Sequence, residues 1–441
     1  MVKYTPIIKN TNSTFAFILL YLYTIAVFIR PHEMFQVSVD WILVKILIIS
    51  CFIVTLIFHR PLQWTIHHWL LVMLLPFIAL SGFVNGSGAI GIGEAQKMIA
   101  ATIIPLFLFS TCVTSVKRQK YLMVLCIVAV ICMIHNGHYQ QSSEFNLGWA
   151  LDTQGMEAND RETTVSRMTY LGFFADPNDI GLFLVMCIPF IIYFFTQSKS
   201  LTKITMLLTL SAFIYGIYIT GSRGTQLGAL SLIPIYYLVL HAGPKIMIGA
   251  VSIAPIGAVV LTGLTKSIDA SANGRLEAWY AGIQMMLSHP ITGIGKGNFV
   301  DHHGLTAHNS YILILGELGI PGYTLWGGAL VSIVLTGYLF IKKSSKIDYT
   351  TLNDEQIIEL KINKTLFFSM IGFLVTGFFL SRSYTVILFV FLGMTIASHI
   401  RLTKLMPELG KECFNTSVVF RSMLYCWAII VAVYVALKLG L

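Results

Sequence analysis

Apolar runs long enough to cross a membrane recur along the whole chain. A helix needs roughly 17–25 apolar residues to span the hydrocarbon core of a bilayer, and a 19-residue hydropathy window predicts about 13 such runs. They occupy residues 14–30, 41–58, 68–85, 98–116, 121–136, 176–196, 204–220, 225–241, 245–263, 309–341, 365–380, 383–399 and 419–437. We expect 309–341 to combine a re-entrant turn with a span. The pattern predicts an all-α protein, a polytopic transmembrane helical bundle of about 12–13 spans.

The polar residues between these runs predict the orientation of the bundle. Clusters of lysine and arginine fall on one side of the alternating topology, and cytoplasmic loops are enriched in these residues. They lie at 117–120, 199–203, 245, 342–346 and 401–404. We therefore assign this side to the cytoplasm. The segment 351–364 is predicted to form a short solvated helix there.

Two long connections are predicted to face outward, 137–175 and 264–308, the second between predicted spans 9 and 10. The second carries a predicted amphipathic helix, RLEAWYAGIQMMLSH, opened by Asn273–Gly274 and ended by Pro290. A glycine-rich turn, TGIGKGNF, follows it. The chain is thus divided into an N-terminal transmembrane bundle (1–136), an outer loop (137–175), transmembrane helices with an outward Ser-Arg-Gly turn (176–263), a second outer loop plus the following span (264–341), and a cytoplasmic loop with the C-terminal spans (342–441).

The composition excludes a water-soluble protein. Of 441 residues, 56% are hydrophobic and only 11% are charged, whereas a soluble domain has about 25% charged residues. The net charge of +9 does not indicate nucleic-acid binding, because the basic residues are scattered through short loops. Six of the seven cysteines lie inside apolar runs and no Cys-x-x-Cys occurs, which favours packing over disulfides or metal.

Arginine is enriched on the predicted outer side, where positive charge opposes the usual bias. Six of the ten arginines face outward: Arg30, Arg161, Arg167, Arg223, Arg275 and Arg382. A guanidinium binds phosphate oxygens through two parallel hydrogen bonds, so this pattern indicates a phosphate or diphosphate ligand. Arg223, in the GSRG hinge, is the strongest candidate. The alternative for Arg223 and Arg382 is contact with lipid headgroups, and Arg161 is interpreted as a surface charge.

His308 is the candidate general base, because imidazole titrates near neutral pH and can accept a proton from a hydroxyl. The alternative is an interfacial histidine at a helix start. Asn309 would bind substrate or hold the loop, and Glu317 would orient the site or pair with an arginine. Trp279 would stack on a sugar or anchor at the interface. The histidines of 302–308 match no usual zinc spacing, so we expect no metal and no cofactor.

Two segments, NGRLEAWYAGIQMMLSHPITGIGKGNF and HNSYILILGELGIPG, resemble the hallmark region of the O-antigen ligase and O-antigen polymerase superfamily. There an Arg with a Trp four residues later precedes a P-x-x-G-x-G-x-G-x-F turn, a His-Asn pair, a Glu and two glycines. The matching residues are Arg275, Trp279, Pro290, Gly293, Gly295, Gly297, Phe299, His308, Asn309, Glu317, Gly319 and Gly322. GSRG resembles the family's Ser-Arg-Gly turn. SRMTYLGFFADPNDIG is similar to its Arg…Gly…Asn-Pro-Asn stretch, with Ala175–Asp176 as a departure.

The resemblance implies a metal-independent, inverting membrane glycosyltransferase of the C type in the bacterial inner membrane, with a periplasmic active site. Such enzymes transfer a glycan from undecaprenyl diphosphate to an acceptor hydroxyl. By position, Arg223 and Arg275 would bind the donor diphosphate and Arg167 would be a further phosphate contact. His308 would activate the acceptor.

Three acceptors fit the resemblance: lipid A–core for a lipopolysaccharide O-antigen ligase, another lipid-linked repeat unit for a polymerase of O-antigen or exopolysaccharide, and a protein side chain for a protein O-oligosaccharyltransferase. We favour the ligase, because polymerases tend to diverge from the His-Asn block. Two alternatives come from other classes. A small-anion transporter of the bicarbonate type is disfavoured by the scarcity of ionisable residues in mid-span, and the other is an inactive subunit of a glycan-assembling machine.

Overall fold

The computed structural model of the chain is built of helices. It describes residues 11–34, 42–86, 88–143, 148–150, 167–242 and 270–440. The helices are α1 (Thr14–Phe28), α2 (Leu43–Phe58), α3 (Ile66–Val72), α4 (Leu74–Val84), α5 (Gly88–Met98), α6 (Ile104–Cys112), α7 (Val116–Ser142), α8 (Pro177–Gln197), α9 (Ser200–Ile219), α10 (Arg223–His241), α11 (Ala270–Ser288), α12 (Phe299–His303), α13 (Ser310–Ser344), α14 (Asp354–Thr376), α15 (Val386–Leu405), α16 (Pro407–Cys413), α17 (Thr416–Tyr425) and α18 (Trp427–Gly440).

Eight segments within the described residues are long and apolar enough to cross a membrane. They are Ile66–Val84, Gly88–Cys112, Val116–Ser142, Pro177–Gln197, Ser200–Ile219, Ser310–Ser344, Val386–Leu405 and Pro407–Val435. The shorter helices α1 and α2 are also apolar. These features confirm an all-α, multi-pass membrane protein. Of the remaining predicted spans, 225–241 lies in α10, most of 365–380 lies in α14, and 245–263 falls outside the described residues.

The prediction of a separate solvated helix at 351–364 is wrong. Asn353 and Gln356 form a reciprocal capping box, and the helix that they open continues through the apolar residues to Thr376. Glu359 and Asn363, one turn apart on the same face, are buried. The polar residues here do not all face water, because Glu359 binds a buried arginine of α15.

The predicted opening of the amphipathic helix was also misplaced. The helix α11 begins at Ala270, so Asn273–Gly274 lie inside it. Its end at Ser288, two residues before Pro290, agrees with the prediction.

A break divides the 35-residue helix α13 near its N-terminal end. Gly319 has φ +63° and ψ −162°, a conformation that glycine adopts readily and other residues avoid. The predicted re-entrant turn at 309–341 therefore takes the form of two helical parts joined at Gly319. The first part, which begins at Ser310, carries the His-Asn motif at its entrance.

Candidate active site

His308 lies in a strained position immediately before α13. Its φ is +47°, one of two positive values at non-glycine residues among the described parts of the chain. Such strain costs roughly 1–3 kcal/mol and persists where the surroundings fix the backbone. Ala307 is fully buried, and the Asn309 side chain accepts hydrogen bonds from the N–H groups of Tyr311 (2.9 Å) and Ile312 (3.1 Å). Asn309 therefore holds the loop as a helix cap, which fixes the half-buried His308.

Ser310 joins the His-Asn motif to the connection between α14 and α15. Its N–H donates to Gly377 O (2.8 Å), and its hydroxyl donates to Leu380 O (2.6 Å) and accepts from the Arg382 N–H (2.9 Å). In return, the Ser383 hydroxyl donates to Ser310 O (2.6 Å). These bonds fix Arg382 beside the entrance of α13.

Arg382 is held by two carboxylates at the start of α8. Its guanidinium donates to Asp179 and, over 3.0 Å, to Asp176. The other oxygen of Asp176 caps α8 by accepting from the Asn178 N–H (2.9 Å). The proposed contact of Arg382 with lipid headgroups is therefore replaced by an ion pair within the protein.

Arg167 connects the start of α8 to the GSRG turn. Its Nε donates to Thr220 O over 2.8 Å, and an Nη donates to Asn178 Oδ1 over 3.3 Å. Burial lowers its pKa, opposed by the charge of Asp176. Arg223 follows in the same turn, as the exposed first residue of α10. Arg167, named from the sequence as a further phosphate contact, thus has a structural role beside the turn; its contact with phosphate stays a prediction.

Arg275 lies on α11, which packs against α13 through small residues. A Cβ on Gly316 would come within 3.3–3.4 Å of the backbone of Gly282, so the two helices approach closely. One turn beyond Arg275, Trp279 is fully buried and its ring lies 5.1 Å from that of Phe378. With no exposed ring face, Trp279 holds α11 in place and does not offer a platform for a sugar.

The charges of this region act on His308. Burial lowers the pKa of His308, the positive charges of Arg275 and Arg382 lower it further, and the negative charge of Asp176 opposes them. These influences favour the neutral imidazole, which is the form that can accept a proton. The charged groups that act on His308 therefore come from three segments that lie far apart in the sequence.

Glu317 positions the glycine-rich turn, and no arginine of the described residues is paired with it. Its buried carboxylate accepts hydrogen bonds from the Gly297 N–H (2.9 Å) and the Tyr384 hydroxyl (3.1 Å). Gly293 has φ +61°, and a Cβ there would collide with the Glu317 backbone. On the other side of the contact, a Cβ on Gly319 would come within 2.6 Å of Pro290 O. Gly293 and Gly319 must be glycines because the glycine-rich turn packs directly against the backbone at the break in α13.

Lys296, within the same turn, adds a second charged cluster. Its ammonium pairs with Glu94 of α5 and lies 4.5 Å from the centre of the Tyr384 ring. Glu94 also accepts from Lys97 over 2.6 Å. This cluster fastens the turn to α5 and the loop before α15.

The structure brings together most residues that the sequence singled out and adds others. His308, Arg275 and Arg167 share one charged region, and Glu317 and Asn309 support its backbone. The residues that sequence reasoning missed are Asp176, Asp179, Ser310, Ser383, Tyr384 and Glu94. Asp176 and Asp179 lie in the quoted segment SRMTYLGFFADPNDIG, and Ser383 and Tyr384 directly follow Arg382 in the sequence. Pairing between these two segments was not predicted. Arg161 lies outside the described residues, within which no cluster of three or more His, Cys, Asp or Glu side chains could hold a metal ion.

Comparison with known proteins supports the resemblance. A protein-family model described as O-antigen ligase matches residues 204–327, which include Arg223, Arg275, His308 and Glu317. No curated protein matches the chain. The family match confirms the similarity to the O-antigen ligase-like superfamily and supports a ligase- or glycosyltransferase-type function in polysaccharide biosynthesis.

Proposed function

We propose that the chain transfers a glycan from undecaprenyl diphosphate to an acceptor hydroxyl at the periplasmic face of the bacterial inner membrane, as an O-antigen ligase does. The observation that carries the proposal is the half-buried His308, held in a strained loop beside Arg275 and Arg382, whose charges lower its pKa. A base beside cationic groups suits transfer from an anionic leaving group. The family match to residues 204–327 supports the same reaction class.

The donor diphosphate would bind to Arg223 and Arg275, with Arg167 near one end of the site. Arg223 is exposed at the start of α10, where the N-terminus of the helix also favours an anion. Arg382 is less suited to this role, because Asp176 and Asp179 already bind its guanidinium. Its charge instead helps to keep His308 neutral.

In the transfer step, the acceptor oxygen attacks the anomeric carbon as His308 takes the hydroxyl proton. The bond from that carbon to the phosphate oxygen breaks, and its electron pair leaves with undecaprenyl diphosphate. Guanidinium groups stabilise the negative charge that develops on the leaving group. Attack from the face opposite the diphosphate inverts the anomeric configuration. The proton on His308 then passes to water, which restores the base.

The experiment is complementation of a strain lacking the gene with His308→Ala, Arg275→Lys and Arg223→Lys. Loss of a general base lowers a rate by about 10²–10⁴-fold. The lysine variants keep the charge but lose the two-pronged contact, so we expect losses of up to about 10²-fold. Finished surface glycan and the lipid-linked pool are measured separately, together with the amount of protein in the membrane.

Arg421→Lys is the matched control, because Arg421 is exposed on α17, outside the charged region of the site. A ligase defect leaves long lipid-linked chains without an acceptor, whereas a polymerase defect leaves single repeat units. Full transfer by His308→Ala at normal protein levels would falsify the assignment of the base. An unchanged glycan profile in the deletion strain would favour the transporter.

A further inference from the structure

A cavity lies at the end of the helix bundle opposite His308. It has a volume of about 230 Å³ and is lined by polar side chains that include Asn12, His59, Gln63, Thr111, Arg401 and Lys404. Arg401 lies 15 residues beyond Val386, the first residue of α15. At 1.5 Å per residue, this places the cavity about 22 Å along the helix from the candidate site.

The cavity walls carry positive charge without negative charge. Asp and Glu are absent from its lining among the residues that the structure describes. The one cation that is balanced, Arg401, binds Glu359 behind the wall through Nε (2.8 Å) and one Nη (2.9 Å). Lys404, which is exposed, makes no hydrogen bond or ion pair with the described residues. It is therefore available to a ligand.

Two further arginines concentrate positive charge beside the cavity. Within the described residues, Arg60 donates only to the backbone carbonyls of Leu56 (2.8 Å) and His59 (2.7 Å), and Arg118 only to those of Cys112 (2.8 Å) and Ser13 (3.2 Å). Carbonyl oxygens satisfy the donors but do not neutralise their charge. A small cavity surrounded by unneutralised cations attracts an anion.

His59 is the second, independent sign of a binding site. It is 1% exposed, it lines the cavity, and its Nδ1 has no hydrogen-bond partner among the described residues. Burial lowers the pKa of His59 to about 4, and the positive charges of Arg118, Arg60 and Lys404 lower it as well. All three cations therefore lie close enough to His59 to affect it. A buried polar atom without a partner is unfavourable, which a bound ligand or water relieves.

We propose that this cavity binds a phosphate group, either as free phosphate or as the headgroup of an anionic phospholipid. Lys404 supplies the charged contact, while the Asn12 and Gln63 amides and the Thr111 hydroxyl line the cavity as further polar groups. Basic pockets between transmembrane helices are a recurring type of lipid-headgroup site. The site is separate from the donor diphosphate site and does not depend on the transfer reaction.

The test uses the purified full-length protein with Lys404→Gln and Lys404→Glu. Inorganic phosphate is titrated in one arm, with the thermal unfolding midpoint as readout. In the other arm, native mass spectrometry measures retention of phosphatidylglycerol against phosphatidylcholine. We expect Lys404→Gln to weaken binding by about tenfold, because a hydrogen bond to a charged group is lost, and Lys404→Glu to weaken it further.

Lys411→Gln and Lys411→Glu are the matched controls, since Lys411 is an exposed lysine just beyond the same end of α15 and is paired with Glu408. Phosphate bound by the arginines of the candidate active site is common to all of these proteins and cancels in the comparison. Protection by inorganic phosphate alone identifies free phosphate, and selective phosphatidylglycerol retention identifies a headgroup. Equal behaviour of the Lys404 and Lys411 variants, or no binding in either arm, overturns the proposal.

Discussion

Arg382 and Arg401 flank opposite ends of α15, and each binds carboxylates from another helix. The Arg401–Glu359 pair is sealed from solvent, because its side chains are only 8% and 0% exposed. Ser398 donates a further hydrogen bond to Glu359 over 2.6 Å. The Arg382–Asp176 pair is open to solvent, because its side chains are 32% and 38% exposed. The two ion pairs therefore both join a guanidinium to a carboxylate, but they differ in their exposure to solvent.

The difference between the two pairs indicates what each one does. In a sealed pair, removal of one partner leaves a buried charge that water cannot reach. In an open pair, water compensates for much of that loss, so the pair contributes less to folding. The Arg382–Asp176 contact therefore acts mainly on the electrostatics of His308, whereas Asp179, only 4% exposed, and the Arg401 pair act mainly on packing.

The largest effect is expected from breaking the sealed pair. Glu359→Ala leaves the buried Arg401 without its carboxylate, and loss of one partner of such a pair costs about 3–5 kcal/mol. We expect a correspondingly lower free energy of unfolding and little protein in the membrane. Unfolding of purified protein in detergent measures the first, and immunoblotting of membranes measures the second.

The control for this prediction is Glu408→Ala, which removes a carboxylate paired with a lysine on the exposed surface. We expect a much smaller change in stability, because solvent screens such pairs. If Glu359→Ala unfolds no more readily than Glu408→Ala, the Arg401 pair does not hold the helices together as we infer.

A smaller effect is expected from the glycine-rich turn, which shapes the candidate-site end of the bundle through its backbone. Gly293→Ala introduces both an unfavourable φ and a collision with Glu317, whereas Gly304→Ala introduces only the unfavourable φ, with no atom within 4 Å of its Cβ. The φ alone costs roughly 1–2 kcal/mol. We expect Gly293→Ala to lower stability by more than this and to reduce transfer. Equal stability of the two variants would show that the collision is relieved by movement of the turn.

The sequence predicted the parts of the site that depend on spacing along the chain. Arg275, the glycine turn, His308 and Glu317 lie within about 45 residues, so their motif could be recognised, and the resemblance gave them roles. The helical fold class was likewise predictable, because apolar runs of sufficient length must be helices in a bilayer.

The pairings between distant segments could not be predicted in the same way. Arg382 meets Asp176 and Asp179 about 200 positions earlier in the chain, and nothing in either segment indicates its partner. Glu359 looked solvated because its neighbours in sequence are polar, although its side chain is buried against Arg401. Trp279 looked available to a sugar, but only three-dimensional packing determines which face of a helix is exposed.

The smallest effect, a change in pH dependence, tests whether the open pair acts on His308. The pKa of His308 is lowered in the folded protein, and among the nearby charges only that of Asp176 opposes this. In Asp176→Asn the opposition is lost, so the pKa of His308 falls further and the neutral base persists to lower pH. We expect the acidic limb of the pH profile of transfer to move to lower pH, with little loss of folded protein. The control is Asp301→Asn, because Asp301 is an exposed carboxylate on α12 that does not act on His308; this change should leave the limb in place. A limb that moves to higher pH, or moves equally in both variants, would mean that the group titrating during transfer is not His308 beside Asp176.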